Sequence, residues 1–186
     1  MEEIIESAVS VLQSGMTLLY PTDTIWGIGC DARRADAVEK LYGIKERDRA
    51  KSMLVLIAEW GAESAAWRLE DESRPTTYIL PGAIWRPMLG GCVADNLPAA
   101  DGSLGIRVPD HPFCQEVLRR LGAPLVSTSA NFSGKPSPSS YEDIDPALKM
   151  RVDMCVPNLP ELAGKENRGS RIVKVNGDGT LTVIRQ

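Results

Sequence analysis

The sequence predicts one α/β domain built on a twisted, mixed parallel and antiparallel open sheet flanked by helices. Three observations predict it. Short apolar strand segments alternate with helical ones along the chain. One strand, residues 52–57, is continuously apolar after Ser52, as in a strand buried on both faces of a sheet. The last third of the chain closes on a hairpin pattern, which argues against a purely parallel sheet.

The elements follow in order. Residues 3–14 place Ile4, Ile5, Ala8, Val11 and Leu12 on one helical face, with Gly15 as the stop. Thr17 to Tyr20 reads as a short strand. Pro21-Thr22-Asp23-Thr24 turns it, and Ile25 to Gly29 continues extended. Asp36 is expected to cap a helix running to about Tyr42. Residues 58–74 read as helical with poor boundaries. Thr76 to Leu80 and Gly105 to Val108 read as strands. Asp110 is expected to cap a helix over His111 to Leu121, which Gly122 ends, and Leu125 to Ser127 is the next strand. Phe132 to Ser140 is a Ser/Pro/Gly loop, of the kind that orders around a ligand. Arg171 to Val175 and Thr180 to Ile184 form a hairpin around Asn176-Gly177-Asp178-Gly179. No internal repeat, long linker or low-complexity tail interrupts this pattern.

Composition narrows the function classes. The chain has 186 residues, 43% hydrophobic and 25% charged, enough for one sizeable core. A formal net charge of −4 argues against a general nucleic-acid coat while leaving room for a local basic patch. No apolar run approaches the ~20 residues that span a bilayer. The acidic start Met1-Glu2-Glu3 opens an amphipathic helix, unlike a signal peptide, so a cytoplasmic location is expected. Cys30, Cys92, Cys114 and Cys155 are scattered, and His111 is the single histidine, a pattern that argues against structural zinc. A Cys114–His111 nucleophile pair is disfavoured, because a buried cysteine is usually a small hydrophobe. His111 heads a helix, where an imidazolium is disfavoured, and reads as structural.

Two clusters carry the chemistry. Lys45, Arg47, Arg49 and Lys51 place four cations within seven residues, between a helix and an apolar strand. Far downstream, Ser127-Thr128-Ser129-Ala130-Asn131 sets hydroxyls and an amide after another strand. Arginine forks, lysine point charges and directed hydroxyl donors are what a polyphosphate requires, so the pair points to an ATP-using enzyme. Taken singly, each cluster has an ordinary reading: a solvated charge run after a helix, and a polar turn after a strand. Together they favour a site. Arg107 lies in an otherwise apolar strand, where an unpaired guanidinium is costly. It suits either an amino-acid carboxylate or a structural carboxylate such as Asp23 or Asp31. Lys135 adds charge nearby and reads as a surface lysine.

These residues carry a family resemblance. Tyr20-Pro21-Thr22-Asp23-Thr24-Ile25-Trp26-Gly27-Ile28-Gly29 resembles the opening motif of the YrdC-type threonylcarbamoyl-AMP synthases. Lys45-Glu46-Arg47 with Lys51 resembles their KxR motif. Leu104 to Pro112 resembles their central strand and helix start. Ser129-Ala130-Asn131, with Ser133-Gly134 and Ser137-Pro138, resembles their SxN motif and following loop. Order and spacing match over roughly residues 5–140. The resemblance implies a YrdC-like fold in the short, single-domain form, one domain over residues 1–186. It implies an enzyme joining L-threonine, bicarbonate and ATP, with Mg²⁺ accompanying the ATP, into threonylcarbamoyl-AMP and pyrophosphate. That is the first step of threonylcarbamoyladenosine (t6A) formation in tRNA. Downstream threonylcarbamoyl-transferase proteins would be partners.

By the same resemblance Lys45, Arg47, Ser129 and Asn131 form a catalytic tetrad. Lys45, Arg49, Ser103, Ser129, Ser137 and Arg185 contact ATP, and Thr22, Arg107, Ser127 and Ser170 contact threonine. No residue is implied as a direct metal ligand; Asp23 is an outer-shell candidate for the Mg²⁺. The chain departs from the family pattern at Ser170-Arg171-Ile172, usually Ser-Thr-Val, at Ser52, usually Pro, and at Leu56, where some members carry His. Two other readings stand beside the synthase. One is a double-stranded RNA, tRNA or ribosome-binding module on the same fold, using the cations on phosphates. The other is a paralogue with a drifted small-molecule substrate.

Overall fold

A computed structural model describes residues 1–48, 52–69, 71, 73–162 and 168–186. Among these, nine strands form one sheet in the order β7-β1-β2-β6-β3-β5-β4-β8-β9. They are β1 (Leu18–Tyr20), β2 (Gly27–Gly29), β3 (Leu54–Leu56), β4 (Thr76–Leu80), β5 (Leu104–Arg107), β6 (Leu125–Ser129), β7 (Met154–Cys155), β8 (Arg171–Val175) and β9 (Leu181–Arg185). The sheet is mixed, as expected. β3 pairs parallel with β5, β4 with β8 and β1 with β7, while the remaining neighbours run antiparallel.

Alternation along the strands separates two faces. On one, Leu18, Tyr20, Leu56 and Leu125 pack beneath α1 (Glu2–Gln13) and α4 (Pro112–Leu121). On the other, Leu19, Ile28, Val55, Ile106 and Val126 pack against α2 (Ala35–Lys45), with Trp85 of α3 (Gly82–Leu89) in the same core. A one-turn α5 (Pro146–Lys149) begins where the Asp145 side chain accepts the Ala147 amide. The first face changes character along its strands. In β6, Leu125 is covered by helix, whereas Ser127 and Ser129, two and four residues on, line an open cavity.

Several local expectations are corrected. Asp36 lies inside the first turn of α2; Arg34 takes the cap position without a side-chain capping bond, its guanidinium pairing with Asp36 instead. Likewise His111, and not Asp110, caps α4. Among the described residues of 58–74, only a short 3₁₀ turn forms, Ala62–Ala66. Trp60 and Trp67, seven apart, both turn onto Tyr78, which produced the helical pattern. The Leu69 amide, however, donates to Tyr78 Oη at 3.0 Å instead of to a helical carbonyl. α3 was not anticipated, because Pro87 sits inside it and Gly82 opens it.

Candidate active site on one face of the sheet

The site begins where α2 ends. Glu46 adopts a left-handed backbone (φ 49°), and the Arg47 amide returns to the Tyr42 carbonyl at 3.2 Å. A non-glycine residue there is unusual. The reversal sends the two cations of Lys45-Glu46-Arg47 to different places. Lys45 turns inward and is 1% exposed. Its Nζ donates to the carbonyls of Ser129, at 2.5 Å, and Asn131. Burial, with Arg47 nearby, lowers its pKa to about 7. A neutral amine still has two N–H groups, one for each carbonyl. Arg47 instead lines the cavity. It donates to the Ser52 carbonyl at 3.0 Å, and burial lowers its pKa.

The cavity encloses about 340 Å³ above the open part of the sheet. It gathers eight of the anticipated positions: Thr22, Arg47, Arg107, Ser127, Ser129, Ser137, Ser170 and Arg185. The Thr22 hydroxyl donates to the Ile25 carbonyl at 2.8 Å and accepts the Thr24 amide, which fixes the turn between β1 and β2. Ser170 shares a 2.7 Å hydroxyl contact with Thr77 of β4. Arg185 donates twice to the Ser170 carbonyl, and burial lowers its pKa. Gly27 and Gly105 lie along the floor, where bare backbone leaves room. A Cβ on Gly105 would stand 3.2 Å from the Leu54 Cβ.

Arg107 takes the structural carboxylate partner open to it in sequence, and it also reaches the cavity. Its Nη1 donates to Asp23 Oδ1 at 2.6 Å in a buried ion pair, while the residue also forms part of the cavity wall. The pair is single-pronged: Arg107 Nε and Asp23 Oδ2 are both buried without a partner among the described residues.

Asn131 and Ser103, also anticipated, lie off the wall. Asn131 is half-buried and donates its amide to the carbonyls of Phe132 and Lys135. Ser103 is buried and bonded to Asp101, away from the cavity. Arg49 and Lys51 lie outside the described residues. Leu56 is fully buried under α1 and α4. Ser52, the departure from proline, lines the cavity beside Arg47. His111 is buried, with Nε2 at 3.1 Å from the Leu162 carbonyl, a structural role. The 132–140 loop is tied to the end of α2 through the Ser133 amide and the Lys45 carbonyl, 2.9 Å apart. Sequence reasoning missed Thr77 and Trp26. Thr77 was legible as a hydroxyl in an apolar strand. Trp26 supplies the one aromatic side chain of the cavity among the described residues, and packs against Tyr141 with rings tilted by 58° and centroids 4.8 Å apart.

Among the described residues, no three His, Cys, Asp or Glu side chains gather to hold a metal ion. Asp23, the outer-shell candidate, spends one oxygen on Arg107. Three guanidiniums and nine hydroxyls among the described residues around one cavity suit a polyanion together with a small polar molecule. No helix of the described residues is long and apolar enough to cross a membrane.

Comparison with known proteins identifies the chain's relatives. The chain is 37% identical over 161 residues to a threonylcarbamoyl-AMP synthase of Xanthomonas campestris pv. campestris, covering 80% of this chain and 82% of that one. A protein of the same name from Stenotrophomonas maltophilia is 33% identical over 158 residues, covering 82% and 84%. The fold matches the crystal structure of E. coli YciO, with a TM-score of 0.74 at 23% identity over 100% of this chain and 90% of that one. It also matches P. abyssi Sua5 complexed with L-threonine, with a TM-score of 0.70 at 21% identity. That match spans 97% of this chain and 53% of the longer Sua5 chain. The Sua5/YciO/YrdC family model, described as telomere recombination, matches residues 10–186. The chain therefore belongs to the Sua5/YciO/YrdC family.

Proposed function

We propose that this chain is an L-threonylcarbamoyladenylate synthase, a nucleotidyltransferase acting as one domain in the cytoplasm. It makes threonylcarbamoyl-AMP and pyrophosphate from L-threonine, bicarbonate and ATP for t6A modification of tRNA. The observation that carries the reading is the single cavity that gathers Arg47, Arg107 and Arg185 with the hydroxyls of Thr22, Ser127, Ser129, Ser137 and Ser170. Relatives at 33–37% identity bear the synthase name.

The chemistry divides between the two ends of the cavity. A carbamate formed on the threonine amine attacks the α-phosphorus of ATP; the new P–O bond forms as the bond to pyrophosphate breaks. Carbamate and triphosphate are both anionic, so the barrier is largely repulsion, and fixed cations lower it by positioning and charge. Arg47 and Arg185 face the phosphates, and the Ser129 and Ser137 hydroxyls orient them. Thr22, Ser127, Ser170 and Arg107 receive the amino acid. Arg107 holds Asp23 through one nitrogen and keeps its Nε for the substrate carboxylate. Lys45 braces the Ser129–Asn131 turn from below. A direct phosphate contact requires its amine to leave both carbonyls. Mg²⁺ enters with ATP as part of the substrate, held by phosphate oxygens and water. The product would pass to the proteins that transfer the threonylcarbamoyl group to tRNA.

The test measures pyrophosphate release with each substrate withheld in turn, on wild type, Arg47→Ala and Ser129→Ala. The proposal expects release only with all three substrates, and its loss in both folded variants. Release that ignores threonine points to a drifted substrate. Binding of double-stranded RNA that collapses with salt, without any release, favours the RNA-binding module.

A further inference from the structure

We propose that a second cavity, on the opposite face of β4, is a binding site for a free α-amino acid. β4 separates the two cavities by alternation: Thr77 and Ile79 line the first, Thr76 and Tyr78 the second. The second encloses about 350 Å³, sufficient for an amino acid.

Its chemistry is that of a zwitterion site. Asp23, 2% exposed, lines it and keeps Oδ2 without a hydrogen-bond partner among the described residues. Arg74 lines it too, with its Nε buried and without a partner among the described residues. One atom requires a donor and the other an acceptor, and buried polar groups are normally satisfied. An ammonium on Asp23 and a carboxylate on Arg74 would satisfy both. Trp60 and Tyr78, edge to face with centroids 5.6 Å apart, supply an apolar wall for the ligand side chain. The other charged side chains of the lining are Arg68 and Asp110. Arg68 lies over the Trp60 ring, 5.7 Å from its centroid, and 3.4 Å from Ser64 Oγ.

The wall is also braced. Arg171, part of the segment that departs from the family pattern, is 7% exposed. It donates to Thr76 Oγ1 at 3.0 Å, to Asp71 Oδ2 at 3.1 Å and to the Asp71 carbonyl at 2.6 Å. These bonds tie β8 to both ends of the stretch carrying Ser73 and Arg74.

The four tryptophans make the test direct. Trp60 lines the second cavity and Trp67 packs on it; Trp26 lines the first. Trp85, whose Nε1 donates to the Gly102 carbonyl at 2.9 Å, serves as an internal control. Indole N–H resonances are followed while the twenty proteinogenic L-amino acids are added singly, to about 10 mM, enough to populate a millimolar site. The proposal expects at least one to shift Trp60 and Trp67 and leave Trp26 and Trp85 still. The amine and carboxylic-acid fragments of that ligand should each bind at least tenfold more weakly to the wild-type protein. Arg74→Ala and Arg74→Gln should weaken the amino acid by a similar factor while keeping the Trp85 signal. No movement of Trp60 with any amino acid overturns the proposal, as do shifts confined to Trp26 or a fragment that binds as well as the whole molecule.

Discussion

Replacing Lys45 by methionine should cost this protein more stability at pH 9 than at pH 6. Lys45 is 1% exposed, and burial lowers its pKa from 10.5 to about 7. The unfolded chain therefore binds more protons than the folded one between those values, so the lysine makes folding more favourable as pH rises. Below pH 7 both states are protonated, and the full cost of burying the cation applies. A pKa of about 7 against 10.5 makes wild type gain about 2–3 kcal/mol from this group between pH 6 and pH 9. Methionine has no such dependence. It also leaves the carbonyls of Ser129 and Asn131 without the Nζ donor, at about 1–3 kcal/mol for each acceptor left unsatisfied. Urea unfolding of both proteins at pH 6, 7, 8 and 9 measures the difference. It should widen with pH by roughly 2 kcal/mol. A difference that is flat across this range, or that narrows, would refute a buried amine titrating near neutrality.

Four further outcomes follow from the same geometry. Asp23→Ala leaves Arg107 buried without its carboxylate and should cost about 3–5 kcal/mol by denaturant titration; the double variant with Arg107→Leu should recover part of it. Ser129→Ala removes a hydroxyl from the cavity wall and should lower pyrophosphate release about 10²–10³-fold with unchanged circular dichroism. Thr77→Val breaks the 2.7 Å contact with Ser170; it should raise KM for threonine about tenfold and leave KM for ATP within twofold, seen in paired substrate titrations. Gly29→Ala would set a Cβ 1.9 Å from the Val126 carbonyl oxygen, backbone that cannot yield, so the variant should fail to fold when expressed and refolded.

Much of the fold was legible because single segments state their own environment. The apolar run around β3 announced a strand in the middle of the sheet, and Asn176-Gly177-Asp178-Gly179 announced the β8–β9 hairpin. What escaped depends on partners distant in sequence. β7 is two residues long and is defined by pairing with β1. The 58–74 segment has helical spacing, yet its aromatic rings and the Leu69 amide answer to Tyr78. The site shows the same division. The Ser127 to Asn131 cluster and Arg47 could be named from residue types and order. That Lys45 and Arg47 part company at a left-handed Glu46 could not, nor could the choice of Asp23 over Asp31 for Arg107, because 84 residues separate that pair. Asp31 is held instead by its neighbour Arg33 at 2.6 Å.

Pyrophosphate release from ATP and bicarbonate, with and without L-threonine, tests the central claim most directly. A synthase built on the Arg47–Arg107–Arg185 cavity releases pyrophosphate only when threonine and bicarbonate are both present. Release that is indifferent to threonine, or none at all from folded protein, would contradict it.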